Sequence, residues 1–151
     1  MAGGLSVREL RAGYGEFGLV EQPAIDLLTS LGWSHKNLHA ESFGELGSEG
    51  RESEHQVVLT RRLRGALKAL NPGLPADACA QAIEQIAQDR SRQIAVNANR
   101  DFYRLLKDGV KVTVPDEHGG HRTETLRVID WDTPANNEFF LASQMRVAGD
   151  M

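Results

Sequence analysis

Apolar side chains recur at helical spacing in four separate stretches of the chain. In the first stretch, Val20, Ala24, Leu27, Leu28 and Leu31 fall at i, i+4, i+7, i+8 and i+11, which predicts a helix that buries this stripe and stops at Gly32. Three more helices are predicted, from Leu59 to Leu70, from Pro75 to Ile86 and from about Val96 to Asp108. Their predicted core positions are Leu59, Leu63, Ala66, Leu67 and Leu70 in the second helix, Cys79, Ala82, Ile83 and Ile86 in the third, and Ala98, Phe102, Leu105 and Leu106 in the fourth.

After Gly109 the apolar positions alternate with a period of two, which is typical of strands. One strand begins at Val110, the segment 117–121 with its Gly-Gly pair predicts a hairpin turn, and the returning strand is expected to reach Trp131. A third strand is predicted from about Glu138 to Val147. The predicted fold class is therefore α/β, with four helices followed by a three-stranded antiparallel sheet.

Two polar, glycine-rich segments predict irregular structure. Residues 1–18 contain five glycines and little periodicity, which predicts a flexible N-terminus before an ordered region at 19–151. Residues 40–53 are expected to form a surface loop.

Composition indicates an ordinary globular protein of 151 residues with a net charge of −4, from 17 Lys and Arg against 21 Asp and Glu. The charge is uneven, because residues 54–111 carry 10 basic and 6 acidic side chains, a local balance of 10 − 6 = +4. The apolar runs are too short for a membrane span, and the N-terminus lacks the apolar run of a signal peptide, so the cytoplasm is the expected compartment. A single cysteine excludes an internal disulfide framework.

The catalytic motifs in the sequence are incomplete. The sequence contains neither a phosphate-binding P-loop nor the G-x-S-x-G nucleophile elbow. His35 and His39 have a zinc-compatible spacing but no third ligand nearby, and solvated loop histidines are the simpler interpretation. Asp116 and Glu124 imitate the two carboxylates of a metal-dependent nuclease, but Leu126 stands where such sites have lysine, so we interpret the pair as a decoy.

Two helices carry basic stripes that could contact phosphate groups of DNA. The residues are Arg61, Arg64 and Lys68 on the second helix and Arg100, Arg104 and Lys107 on the fourth. A solvated outer helix face explains the same pattern. No aromatic interleaving is evident in the sequence, so stacking of single-stranded bases is not predicted.

Four stretches together resemble the N-terminal region of the restriction (R) subunit of type I restriction-modification enzymes. They are VEQPAIDLLTSLGW (20–33), LTRRLRGALKALNPGLP (59–75), NANRDFYRLLKDGVKV (97–112) and LRVIDWDTPANNEFFLASQMRV (126–147). The last is the most specific, with its Ile-Asp-aromatic-Asp, Pro-x-Asn-Asn and Gln-x-x-Val elements.

This resemblance implies the first part of a restriction-endonuclease-like PD-(D/E)xK domain. The family's catalytic Asp and Glu-x-Lys follow the strand that here ends at Val147, so the main catalytic residues are expected beyond Met151. The resemblance also implies Mg²⁺ for the nuclease and ATP for motor domains on the parent subunit, which cleaves unmethylated foreign double-stranded DNA with methylation and specificity subunits. The chain alone is expected to be inactive.

Glu21 is the one candidate catalytic residue within the chain. By its place it matches the glutamate that faces the metal from the first helix of such folds. A helix N-terminal carboxylate favoured by the helix dipole is the alternative for Glu21.

Two other functions stay open from the residues. One is a binding module that contacts DNA or another subunit through the helices of 54–111. The other is an interaction domain in which the last strand pairs with a second copy of the chain, because unpaired strand edges recruit other strands.

Overall fold

The structure is a computed structural model that describes residue 15 and residues 17–149. Most of the predicted flexible segment 1–18 therefore lies outside the described residues, and so does Met151, the last residue of the predicted ordered region. The described residues divide into two compact units, one formed by those up to residue 40 together with 139–146 and the other by residues 41–138 together with 147–149. No helix in the described part of the chain is long and apolar enough to cross a membrane.

The first unit consists of one helix and two paired strands. A π-helical turn, Phe17–Glu21, leads directly into α1, Gln22–Ser30. Strand β1, Ser34–Asn37, pairs in parallel with the last strand of the chain, Phe140–Ser143, with Ser34 opposite Phe140 and Asn37 opposite Ser143. Trp33 and Phe139 precede these strands and pack ring against ring at 5.3 Å between centroids. The two strands can pair in parallel because the chain between them, residues 38–139, is long enough to return to the end at which β1 begins.

Helix α1 confirms the first predicted helix but turns a different face inward. Its buried apolar residue is Ile25, with 8% of its surface exposed, whereas Leu27 of the predicted core stripe is 61% exposed. Val20 and Leu31 are exposed as well. The periodicity located the helix correctly, but it could not distinguish a stripe that packs within the described residues from one that stays on the surface.

The two faces of α1 should respond differently to truncation. We expect Ile25→Ala to destabilise the first unit by about 2–5 kcal/mol, because it removes buried methyl groups. Leu27→Ala should change the free energy of unfolding by less than about 0.5 kcal/mol, because the side chain is exposed. Urea denaturation monitored through the first unit measures both. Equal losses of stability in the two variants would show that the Leu27 side chain is packed and not exposed.

The second unit has a core built from three helices and a hairpin. The helices are α2, Thr60–Leu70, α3, Ala76–Ala87, and α4, Ala95–Asp108, which confirms the other three predicted helices. The buried cluster contains Leu67, Ala78, Cys79, Ala82, Ile83, Ile86, Val110, Val112, Val114 and Leu126, with Leu63, Leu74, Phe102, Leu105 and Val128 packed against it. Cys79 is thus a buried core residue, as its place on the predicted apolar face indicated.

The hairpin consists of β2, Val110–Pro115, and β3, His121–Leu126, in antiparallel register with Val110 opposite Leu126. The alternation of Val110, Val112 and Val114 is confirmed, since all three are buried. Gly109 precedes β2 at φ 84°, and a Cβ there would lie 2.6 Å from the carbonyl oxygen of Leu126. Only glycine fits this close approach.

The predicted three-stranded antiparallel sheet does not form among the described residues. The last strand, β4 (Phe140–Ser143), pairs with β1 and not with β3. On the open side of β2, Gln81 of α3 donates to the Thr113 carbonyl and accepts from the Thr113 amide, both at 2.9 Å, and Gln85 donates to the Lys111 carbonyl. Side-chain amides thereby satisfy the edge groups that a further strand would have used.

Strand β3 also ends earlier than predicted, at Leu126 rather than near Trp131. The Asn71 side chain donates to the Arg127 carbonyl and accepts from the Arg127 amide, both at 2.8 Å. This side chain replaces a neighbouring strand at the residue where β3 would continue.

Residues 40–53 are irregular as predicted, but they are not simply a surface loop. Arg51 is fully buried and forms an ion pair with buried Glu41, with Nη2 at 2.6 Å from Oε2. Arg51 Nε approaches both Glu41 oxygens, at 3.1 and 3.2 Å, and Nη1 donates to the Gln56 carbonyl at 2.7 Å. The Arg51 guanidinium also lies 5.2 Å from the centroid of the Phe43 ring. The pattern of a glycine-rich polar segment gives no sign of this pair.

Candidate functional site

Two residues from opposite ends of the family-like region meet in the first unit. Glu21 stands at the junction of the π-helical turn and α1, and Gln144 directly follows β4. The Gln144 side-chain amide nitrogen lies 2.9 and 2.6 Å from the two Glu21 carboxylate oxygens. The structure therefore places the sequence-predicted Glu21 at the carboxyl end of β4, with its carboxylate oriented by one amide.

The backbone of Gln144 is unusual, because its φ of 53° lies in the left-handed region that non-glycine residues rarely adopt. Such conformations persist where surrounding contacts fix them, and they are common at functional sites. One residue earlier, buried Ser143 holds its hydroxyl 2.8 Å from Nε2 of His35 on β1. In the sequence Gln144 stands out only as the first residue of the Gln-x-x-Val element, inside a strand predicted to reach Val147.

The main catalytic residues that the resemblance implies are predicted to lie outside this sequence. They were expected beyond Met151, which is the last residue of the 151-residue sequence. Met151 itself lies outside the described residues. The position of the family's Asp and Glu-x-Lys relative to this chain therefore stays a prediction.

The family-like segment after β3 is a closed polar turn around Asp130. The Asp130 carboxylate accepts from the backbone amides of Asp132 and Thr133 at 3.2 and 3.0 Å, and from the Asn136 side chain at 2.9 Å. Asn137 holds both the amide and the carbonyl of Asp130 at 2.8 Å. Arg127 completes the turn with an ion pair to Asp130 at 3.2 Å. These polar residues thus fix the chain path around Asp130.

The pKa of Asp130 lies below the usual value for aspartate. The hydrogen bond from Asn136 contributes most, the Thr133 amide follows, burial opposes the shift, and Arg127 and the Asp132 amide add to it. All of these hydrogen bonds favour the ionised carboxylate.

This shift predicts a pH dependence of stability. A carboxylate with a lowered folded pKa stabilises the protein above its unfolded pKa, about 3.9, and loses that contribution as pH falls through the folded value. We expect the free energy of unfolding to fall more steeply below about pH 4 in the parent chain than in Asp130→Asn. Asn136→Ala, which removes the largest cause, should reduce the slope in part. Identical slopes in all three proteins, measured by urea denaturation across this range, would contradict the assignment.

The remaining carboxylate and histidine candidates do not come together as one site in the described structure. Asp116 accepts from the His118 and Gly120 amides at 2.8 and 2.7 Å, so it stabilises the hairpin turn. Glu124 pairs with Arg122 at 2.8 Å. The His39 amide bonds to the Asn37 side chain, and no group of three His, Cys, Asp or Glu side chains in the described part of the chain is placed to hold a metal.

The two basic stripes differ in the structure. Arg61 donates to the Ser48 and Glu45 carbonyls, both at 3.3 Å, and shares a cleft of about 590 Å³ with Arg64 and the acidic Glu45 and Glu52. On α4, Arg100 bonds to Asn97 of its own helix, at 3.0 Å. Arg104 and Lys107 are exposed and form no ion pair with any described residue. The α4 stripe is therefore the more available of the two, and Lys68 on α2 is also exposed.

Aromatic side chains that sequence analysis missed accompany the α4 stripe. Tyr103 is 56% exposed and lies between Arg100 and Lys107 on the same face by the 100° rule. Trp131 is 58% exposed, and its Nε1 is 3.3 Å from the Leu106 carbonyl near the end of α4. The contact between α4 and Trp131 joins positions 25 residues apart, so no local pattern could have indicated it.

Comparison with known proteins identifies relatives over nearly the whole chain. The family described as "Type I restriction enzyme R protein N terminus" matches residues 13–151. The "Type I restriction enzyme HindI endonuclease subunit" of Haemophilus influenzae is 30% identical over 128 residues, which cover 85% of this chain and 12% of that protein. The "Putative type I restriction enzyme MjaIXP endonuclease subunit" of Methanocaldococcus jannaschii is 30% identical over 129 residues, with the same coverage.

No solved structure gives a significant match to the chain. The chain spans about an eighth of the length of these curated relatives. The matched region includes Glu21, Gln144, the Asp130 turn and both basic stripes. The chain therefore belongs to the family of type I restriction enzyme R protein N-termini.

Proposed function

We propose that this chain provides the N-terminal part of the nuclease domain of a type I restriction subunit, which cleaves unmethylated foreign double-stranded DNA. The observation that carries the proposal is the family match over residues 13–151, which includes both partners of the Glu21–Gln144 contact. The chain supplies a scaffold and DNA backbone contacts. Its partners in the complex are the methylation and specificity subunits. ATP is the cofactor of motor domains on the same restriction subunit.

Mg²⁺ in such a nuclease would stabilise the charge on the scissile phosphate and activate water. Glu21 is the one candidate Mg²⁺ ligand among the described residues. The cluster of carboxylates that Mg²⁺ prefers does not surround it there. We therefore derive no catalytic step through the metal in this chain. Gln144 acts on Glu21 as a positioning residue, and further ligands would have to come from a longer polypeptide.

The exposed apolar face of α1 supports a role within a larger domain. Val20, Leu27 and Leu31 present a stripe that the described residues leave in solvent. Strand β4 has β1 on one side and no strand on its other side among the described residues. Both features are expected where more chain completes a core.

The α4 stripe provides the DNA backbone contacts, with the α2 stripe contributing less because Arg61 is engaged and acidic side chains line its cleft. Exposed arginine and lysine side chains bind phosphate and release counterions, which makes binding salt-dependent. Three contacts correspond to a slope of about 3 in the logarithm of affinity against the logarithm of salt concentration.

Two measurements on the purified chain test this proposal. We expect duplex DNA binding that weakens with salt, with the slope reduced by about 3 in Arg100→Glu/Arg104→Glu/Lys107→Glu and by less in Arg61→Glu/Arg64→Glu/Lys68→Glu. We also expect no Mg²⁺-dependent cleavage. A cleavage rate abolished by Asp116→Asn or Glu124→Gln would overturn the decoy interpretation, and equal loss in both triple variants would remove the preference for α4.

A second candidate function is an interaction module that pairs through β4. No second strand pairs with β4 besides β1 in the described part of the chain, which favours this function because strand edges recruit another strand. Sedimentation equilibrium at increasing concentration tests it. Dimers in which 140–143 gain amide protection beyond that given by pairing with β1 would support a second copy at this edge, and a monomer at every concentration would exclude it.

A further inference from the structure

The α4 stripe and Trp131 together form a surface that the duplex-binding role does not require. Exposed aromatic side chains beside several cations are the combination with which proteins bind single-stranded nucleic acid. Here Tyr103 and Trp131 are both more than half exposed, and Arg100, Arg104 and Lys107 lie on the same helix as Tyr103.

Trp131 is held in place rather than free to fold away. Its indole nitrogen donates to the Leu106 carbonyl at 3.3 Å. The preceding residue, Asp130, is fixed by the amides of Asp132 and Thr133 and by the side chains of Asn136 and Asn137. A rigid aromatic ring binds at a lower entropic cost than a mobile one.

A cleft of about 400 Å³ lies beside this ring. This volume falls in the range of small-ligand sites, so it could hold one nucleobase. Lys107, Arg127 and Thr125 line the cleft together with the acidic Asp108 and Asp132. The two carboxylates disfavour a phosphate inside the cleft, but they can accept hydrogen bonds from the amino groups of a base.

The basic residues lie where a nucleic acid backbone could run. Arg100 and Lys107 are seven residues apart, so they are separated by about 10 Å along the helix. That distance is long enough for the stripe to contact more than one phosphate of a single strand. Bases facing Tyr103 and Trp131 would stack on them, as in proteins that bind single strands without sequence preference.

We propose that Tyr103, Trp131 and the α4 stripe bind a short segment of single-stranded DNA, with phosphates on the cations and one unpaired base in the cleft beside Trp131. The proposal rests on the proposed function for its choice of DNA as the ligand. It adds a binding mode that duplex DNA cannot use, because paired bases are not free to stack on protein side chains.

The test measures the affinity of the purified chain for a labelled deoxycytidine oligonucleotide of about 12 nucleotides, whose bases carry amino groups, and for a duplex of the same length, by fluorescence anisotropy. We expect Trp131→Ala and Tyr103→Ala each to weaken single-strand binding roughly tenfold and duplex binding less than about twofold. Trp131→Phe keeps an aromatic ring but loses the indole N–H, so it should bind more tightly than Trp131→Ala, which separates stacking from a loss of folding. Val57→Ala is the matched control, because Val57 is also 58% exposed but lies outside this surface.

The outcomes separate this inference from the proposed function. If duplex binding persists and neither aromatic variant affects single-strand binding, the inference is overturned and the proposed function stands. If single strands bind through Trp131 but duplex DNA does not bind, the backbone role of α4 on duplex is overturned and the inference stands. Tighter binding of the matching RNA would overturn the assignment of DNA as the ligand.

Discussion

Replacing Arg51 by alanine should destabilise the protein by about 3–5 kcal/mol, the largest effect that we expect from a single substitution. Arg51 has no exposed surface, and its guanidinium is the partner of buried Glu41 at 2.6 Å. Removing the cation leaves the Glu41 carboxylate buried without its counter-charge, and it leaves the Gln56 carbonyl without the 2.7 Å bond from Nη1. Urea denaturation of the second unit measures the loss.

The double variant Glu41→Met/Arg51→Met separates the net contribution of the ion pair to stability from the cost of removing one partner. An apolar pair of similar size removes both charges, so the double variant should be more stable than Arg51→Ala. Arg64→Ala, at an exposed arginine of α2, should change stability by less than about 0.5 kcal/mol. A stability of Arg51→Ala equal to that of Arg64→Ala would contradict the burial of the pair.

Truncation of Leu67 to alanine should cost about 2–5 kcal/mol. Leu67 lies on α2 with no exposed surface, in the cluster that joins α3 and the β2–β3 hairpin. The loss combines the transfer of the removed methyl groups with the cavity left between elements that cannot fully collapse.

Leu46→Ala is the matched control, because the same side chain is removed from a position that is 95% exposed. We expect its effect to stay within about 0.5 kcal/mol. Both variants are compared by the midpoint and slope of urea unfolding, and a small effect at Leu67 with an unchanged slope would show that the core of the second unit lies elsewhere.

The candidate site was only partly predictable. Glu21 was singled out by its place at the start of the first helix, but its contact with Gln144 spans 123 positions and leaves no local pattern. The basic faces of α2 and α4 were visible as stripes, whereas the engagement of Arg61 with the 40–53 segment was not. The sequence does not single out Tyr103 and Trp131, because their place on the surface depends on solvent exposure, which the residue type does not determine.

The amino-acid sequence by itself determined the four helices, the β2–β3 hairpin and membership of the restriction-subunit family. Periodicity and turn residues act over a few positions, so these elements follow from short-range backbone preferences and burial. Tertiary structure alone decided that β4 pairs in parallel with β1, that Ile25 rather than Leu27 faces inward, and that Arg51 is buried with Glu41. These outcomes depend on which distant groups satisfy a strand edge or a charge, and that competition is settled only when the whole chain has packed.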